Sequence, residues 1–99
     1  MLVNYSFQGI RFEWDSKKAA DHLNKHKIHF EEASEVLLDP LMREIEHQYR
    51  DGELREKVIG ATVDWRLLCV VYTMRKGEIY RIISARTATK WDRRRYEEQ

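Results

Sequence analysis

Six consecutive apolar residues, Leu67 to Tyr72, are followed a few positions later by a second apolar stretch, Ile79 to Ile83, broken only by Arg81. This pair constrains the fold more than any other feature. Each run is rich in β-branched and aromatic residues, and the polar segment Met74 to Gly77 between them reads as a turn, so together they predict a β-hairpin. Strand side chains alternate, and apolar residues therefore occupy both faces of this hairpin. A hairpin apolar on both sides sits in the middle of a sheet and needs cover on each. A four-residue turn closing Thr73 against Glu78 would set Tyr72 opposite Ile79, Val70 opposite Arg81 and Leu68 opposite Ile83. Arg66 and Arg81 then share the face of Leu68, Val70, Tyr72, Ile79 and Ile83. Leu67, Cys69, Val71, Tyr80, Ile82, Ser84 and Arg86 share the other.

The flanking segments supply the cover. Ile10 to Trp14 alternates as a short strand, Asp15 or Ser16 offers an N-cap, and Lys17 to Lys27 carries Ala19, Ala20 and Leu23 at helical spacing. Phe30, Ala33, Val36 and Leu37 mark a second helix, with Glu31 and Glu32 favourable in its first turn and Asp39-Pro40 ending it. Leu41 to Ile45 reads as extended and His47 to Gly52 as a turn. Leu54 to Gly60 is a further strand, with another turn at Thr62 to Trp65. Thr89 with Asp92 opens a short C-terminal helix in the manner of a capping box. Residues 1–9 extend a sheet edge through Leu2 to Phe7. The expectation is one α+β domain over 1–99: an antiparallel sheet of four to five strands, two N-terminal helices on one face and a short C-terminal helix.

Several function classes fall away. The longest apolar run is far short of the roughly 20 residues that span a bilayer, and no basic-then-apolar leader opens the chain, so a cytoplasmic protein without membrane partners is expected. Eighteen basic against 17 acidic residues give a net charge of +1, so any nucleic-acid affinity must lie in the distribution of charge. The single cysteine, Cys69, excludes an internal disulfide and reads as a small buried hydrophobe. His22 and His26 stand i,i+4 on one helix, but no Glu lies between them and no cysteine pair accompanies them, so neither a metal nor another cofactor is expected. The glycines are too scattered for a phosphate-cradling loop.

What remains suits cleavage of a phosphodiester without metal. The 2′-OH must lose a proton, positive groups must stabilise the phosphorane, and the 5′-oxygen must gain a proton. Arg66, Arg81, Lys25 and His26 are the candidate catalytic groups. Arg55, Tyr72, Arg86 and Trp65 are the candidate RNA contacts, with Tyr72 and Tyr80 as stacking platforms. Each has a plainer reading: Arg66 and Arg81 in salt bridges with Glu78 or Glu56, Lys25 and His26 as a solvated helix end, Trp65 anchoring a turn to the core, and Lys90 and Arg93 to Arg95 as a solvated helix face.

The segments Phe12-Glu13-Trp14-Asp15 with Lys18-Ala19, Lys25-His26, Phe30-Glu31-Glu32-Ala33, Asp39-Pro40, Ile59-Gly60, Arg66-Leu67-Leu68 and Arg81-Ile82-Ile83-Ser84-Ala85-Arg86 resemble, in order and spacing, the BrnT toxins of type II bacterial toxin–antitoxin systems. The resemblance covers residues 10–98. It implies a RelE-like fold, an endoribonuclease that arrests translation, and neutralisation by a ribbon-helix-helix antitoxin through which alone operator DNA is contacted. It leaves open a homodimer or a heterotetramer with the antitoxin. The chain departs from the family pattern at Lys27 and Trp65, where Gly is usual, and at Leu54, usually acidic. A catalytically weak member that only holds its antitoxin as a co-repressor is the alternative.

Overall fold

A computed structural model describes residues 1–98. Its elements run β1 (Leu2–Phe7), β2 (Ile10–Asp15), α1 (Ser16–His26), α2 (Phe30–Val36), β3 (Arg43–Arg50), β4 (Glu53–Ala61), β5 (Leu67–Arg75), β6 (Ile79–Thr87) and α3 (Lys90–Glu97). The strands form one sheet in the order β1-β2-β6-β5-β4-β3. Among the described residues no helix is long and apolar enough to cross a membrane.

The sheet thus has six strands rather than four or five, and it is mixed rather than antiparallel. Strands β3 to β6 form the expected meander, but β2 lies parallel to β6 through Arg11, Phe12 and Glu13, which pair with Ile79, Tyr80 and Arg81. The extra strand length has a local cause. His47 to Arg50, expected as turn, continue β3 and pair with Glu56 to Glu53, leaving only Asp51-Gly52 to turn the chain. This segment is polar because β3 is an edge strand exposed along most of its length, where charged side chains guard the free edge.

The hairpin register also differs from the expected one. The strands run on to Arg75 and Ile79, and a bulge between Val71 and Tyr72 leaves Tyr72 opposite Ile82 and Thr73 opposite Arg81. A one-residue bulge exchanges the faces beyond it. Tyr80, Ile82 and Ala85 therefore join Leu68, Val70 and Tyr72 in the core. Arg81 and Tyr72, expected on one face, lie on opposite ones.

The core forms where α2 crosses the sheet: Phe30, Ala33 and Val36 pack on Phe12, Trp14, Val58, Leu68 and Val70. Helix α1 departs from the expected position. It begins as β2 stops pairing and runs on beside β6, burying none of its residues fully. Helix α3 lies mainly over the β3–β4 end of the opposite face, which we call the open face. At Gly60 the sheet and α2 nearly touch, since a Cβ there would stand 2.8 Å from Val36 Cγ1 and 3.0 Å from its carbonyl oxygen. Gly60→Ala is therefore expected to destabilise the protein by about 1–3 kcal/mol, read as a lower denaturant midpoint at unchanged slope.

Candidate active site

Four polar side chains from three elements converge on one hollow of about 280 Å³ on the open face: His22 and His26 of α1, Lys57 of β4 and Arg86 of β6. Cys69 and Val71 of β5 and Ser84 of β6 also line it.

The histidines arrive there through helix geometry. Asp15 caps α1, its carboxylate accepting from the Lys18 amide at 3.0 Å, and the i,i+4 spacing sets the two imidazoles on one face with ring centres 5.6 Å apart. His22 Nδ1 lies 2.9 Å from the Lys18 carbonyl oxygen. Only a donor suits that position, so Nδ1 carries the proton and Nε2 is the nitrogen left free to accept one. The ring also packs against Phe30, centre to centre 5.1 Å. Lys27 then ends the helix in the left-handed conformation, φ 57°, and Trp65 adopts φ 64°. Both family departures where Gly is usual thus retain glycine-like geometry.

Arg86 is held from below. Its Nη1 donates to Asp92 Oδ2 at 2.6 Å and to the Thr87 carbonyl at 3.3 Å. Asp92 is 1% exposed and is also the reciprocal partner of Thr89 in the α3 capping box, accepting from the Thr89 amide at 2.9 Å. Burial opposes the charge on Asp92, but the Thr89 amide and the Arg86 guanidinium outweigh it and hold the carboxyl below its usual range. Burial likewise opposes the Arg86 charge, yet its bond to Asp92 raises its pKa further. Burial pushes the Cys69 thiol up despite the nearby Arg86 and Lys57, which suits an inert wall. Lys57 forms no ion pair among the described residues, although Glu46 stands opposite it across the β3–β4 pair. Among those residues no group of three or more His, Cys, Asp or Glu could hold a metal ion.

The other residues singled out from the sequence are dispersed. Arg55 lies in an adjoining hollow that shares Lys57 with this one. Arg81 is on the open face, but its Nε donates to Glu13 Oε2 at 2.7 Å, and Glu13 is itself buried. Arg66 reaches the helix side, where Nη1 donates to Glu32 Oε2 at 2.9 Å. The two arginines thus do not share a face, and their ion-pair partners are Glu13 and Glu32 rather than Glu78 or Glu56. Tyr72 is buried in the core with its hydroxyl donating to Glu56; burial, then that bond, raises its pKa strongly. Lys25 is exposed on α1 outside the hollow. Trp65 is 83% exposed in its turn, so it does not anchor that turn to the core.

Sequence reasoning overlooked Lys57 and weighed His22 only as a metal ligand. The i,i+4 pairing of His22 with His26 was the available signal for one. For Lys57 it was the alternation of β4, which turns Lys57 away from the buried Val58.

These features define a small α+β domain with a surface cleft lined by two imidazoles, a lysine and an arginine held by a buried carboxylate, a class suited to a phosphate-bearing ligand. A family model described as "Ribonuclease toxin, BrnT, of type II toxin-antitoxin system" matches residues 14–92, and the chain belongs to the BrnT family. The fold is similar to the crystal structure of the Brucella abortus ribonuclease toxin BrnT, with a TM-score of 0.60 at 22% identity, covering 78% of this chain and 94% of that one. None of the curated proteins matches.

Because the Asp92 carboxyl titrates lower in the folded protein than in the unfolded chain, its stabilisation is present above about pH 5 and lost as pH falls through the depressed value. Asp92→Asn is expected to cost about 1–3 kcal/mol at neutral pH. In urea titrations the gap from the parent protein should close in acid.

Proposed function

We propose that this chain is a metal-independent endoribonuclease that cleaves RNA by attack of a 2′-OH on the adjacent phosphate, breaking the bond to the 5′-oxygen and leaving a 2′,3′-cyclic phosphate and a 5′-OH end. The observation that carries this reading is the convergence of His22, His26, Lys57 and Arg86 on one hollow. His22 Nε2 takes the proton of the attacking hydroxyl. Lys57 and Arg86 face the charge that builds on the phosphorane oxygens, and Asp92 keeps Arg86 in place. His26, in the exposed last turn of α1, gives a proton to the departing oxygen. Arg55 contacts the RNA beyond the scissile bond. Arg81 and Arg66 lie outside the hollow and, paired with Glu13 and Glu32, serve to hold β2 and α2.

Membership of a type II toxin–antitoxin family supports a cytoplasmic toxin that arrests translation until a cognate antitoxin binds it. The antitoxin is assigned to the ribbon-helix-helix type and makes the contacts to operator DNA.

Purified protein incubated with RNA in EDTA should release fragments with cyclic phosphate ends. His22→Ala, His26→Ala and Lys57→Ala should each slow cleavage by about 10²–10⁴-fold with unchanged circular dichroism. Intact RNA at high protein concentration, together with normal growth on unopposed expression, would favour the co-repressor reading instead.

A further inference from the structure

The hollow beneath the histidines continues past Lys57. Lys57, Val71 and Ser84 also border a second hollow, of about 350 Å³, that extends toward edge strand β3. The β3–β4 register sets Gln48 beside Arg55 and Glu46 beside Lys57 on the same face. Three cations, Arg50, Arg55 and Lys57, line this hollow against one carboxylate, Glu46. Arg50 and Lys57 have no ion-pair partner among the described residues. Arg55 has only Glu53, at 3.9 Å, and its Nε is buried without a hydrogen-bond partner. Arg75 Nε is in the same state, and such a donor can be completed by a water or by a ligand.

The spacing fits a nucleic-acid strand. Arg55 and Lys57 are two residues apart on one face of β4, about 7 Å along the strand, which is close to the step between successive phosphates of extended RNA. Between the cations the floor is apolar, formed by Val71 and by Ile83, which the β6 bulge turns to this side. An apolar floor beside cations accommodates a base whose phosphate is held nearby. At the rim, the Gln48 side chain offers one donor and one acceptor group to a base edge.

We infer that the second hollow is a one-nucleotide subsite beside the scissile position: Arg50 and Arg55 take the neighbouring phosphate, Val71 and Ile83 carry its base, and Gln48 selects among bases. The inference builds on the ribonuclease reading and assigns the origin of its sequence preference.

Cleavage of a ribodinucleotide is to be compared with that of trinucleotides carrying each of the four bases on the 5′ or the 3′ side. Binding of uncleavable 2′-O-methyl trinucleotides is to be followed by fluorescence anisotropy across salt concentrations. Extension on one side should raise kcat/KM by about tenfold or more, and Arg50→Gln should remove most of that gain. The same variant should make the salt slope of binding shallower by about 0.7. Gln48→Ala should narrow the differences among the four bases. Equal cleavage of dinucleotide and both extended substrates, or a gain that survives Arg50→Gln in a folded protein, would overturn the subsite, as would failure of the 2′-O-methyl trinucleotides to bind. Arg50-dependent binding with no cleavage by the parent protein would instead retain the subsite and remove the ribonuclease reading.

Discussion

The three-residue parallel junction of β2 with β6 decides where the other parts of this domain lie. It is locked on the open face by Arg81 Nε and Glu13 Oε2 at 2.7 Å and on the core face by Phe12 stacked on Tyr80, 5.5 Å between ring centres. Because the pairing stops at Glu13, α1 starts beside the middle of β6 and runs along the strand's second half. That placement carries His22 and His26 over the side of the sheet to Ser84 and Arg86. Arg81, a catalytic candidate in the linear sequence, is in the structure the partner of Glu13 and fastens the sheet on which the cleft is built.

A second dependence runs through α3. Asp92 is its only buried residue, and the helix is held mainly by polar contacts. Arg43 Nη1 donates to the carbonyls of Arg95 and Glu98, and the Tyr96 hydroxyl donates to Asp39 Oδ2 at 2.6 Å. One carboxylate, Asp92, therefore serves both the N-terminus of a helix and the orientation of a cleft guanidinium. The same economy appears at Asp39, whose Oδ2 also accepts from the Ala61 amide at 2.8 Å. These acidic residues join chain segments distant in sequence, and of the hollow's two cations Arg86 is held by Asp92 whereas Lys57 has no ion pair among the described residues.

Much of the fold was legible because the signals involved are local. The alternation of Ile10 to Trp14, the helical spacing of Phe30, Ala33 and Val36, and the Thr89–Asp92 capping box all operate within a few residues, and each element appears where its pattern lies. Edge strand β3 was only half legible: its outer half, His47 to Arg50, is polar on a sheet margin, where strand and turn compositions converge. The hairpin register was not legible, since a single bulged residue leaves no mark in an apolar run yet exchanges the faces of everything after it. The pairing of Arg66 with Glu32 and of Arg81 with Glu13 spans 34 and 68 residues respectively, beyond any periodicity.

By itself the sequence determined the kinds of elements, the apolar hairpin at their centre, the inert character expected of Cys69 and, through the order and spacing of its motifs, the family. Those properties follow from short-range periodicity and from the chemistry of single side chains. Only the tertiary structure decided which charges are already satisfied and which are free. It paired Arg66, Arg81 and Arg86 with Glu32, Glu13 and Asp92 and bound the Tyr72 hydroxyl to Glu56, and of these it brought only Arg86 into one hollow with His22, His26 and Lys57. The physical reason is that the availability of a charged group depends on the partner that the sheet order, the bulge and the start of α1 place beside it.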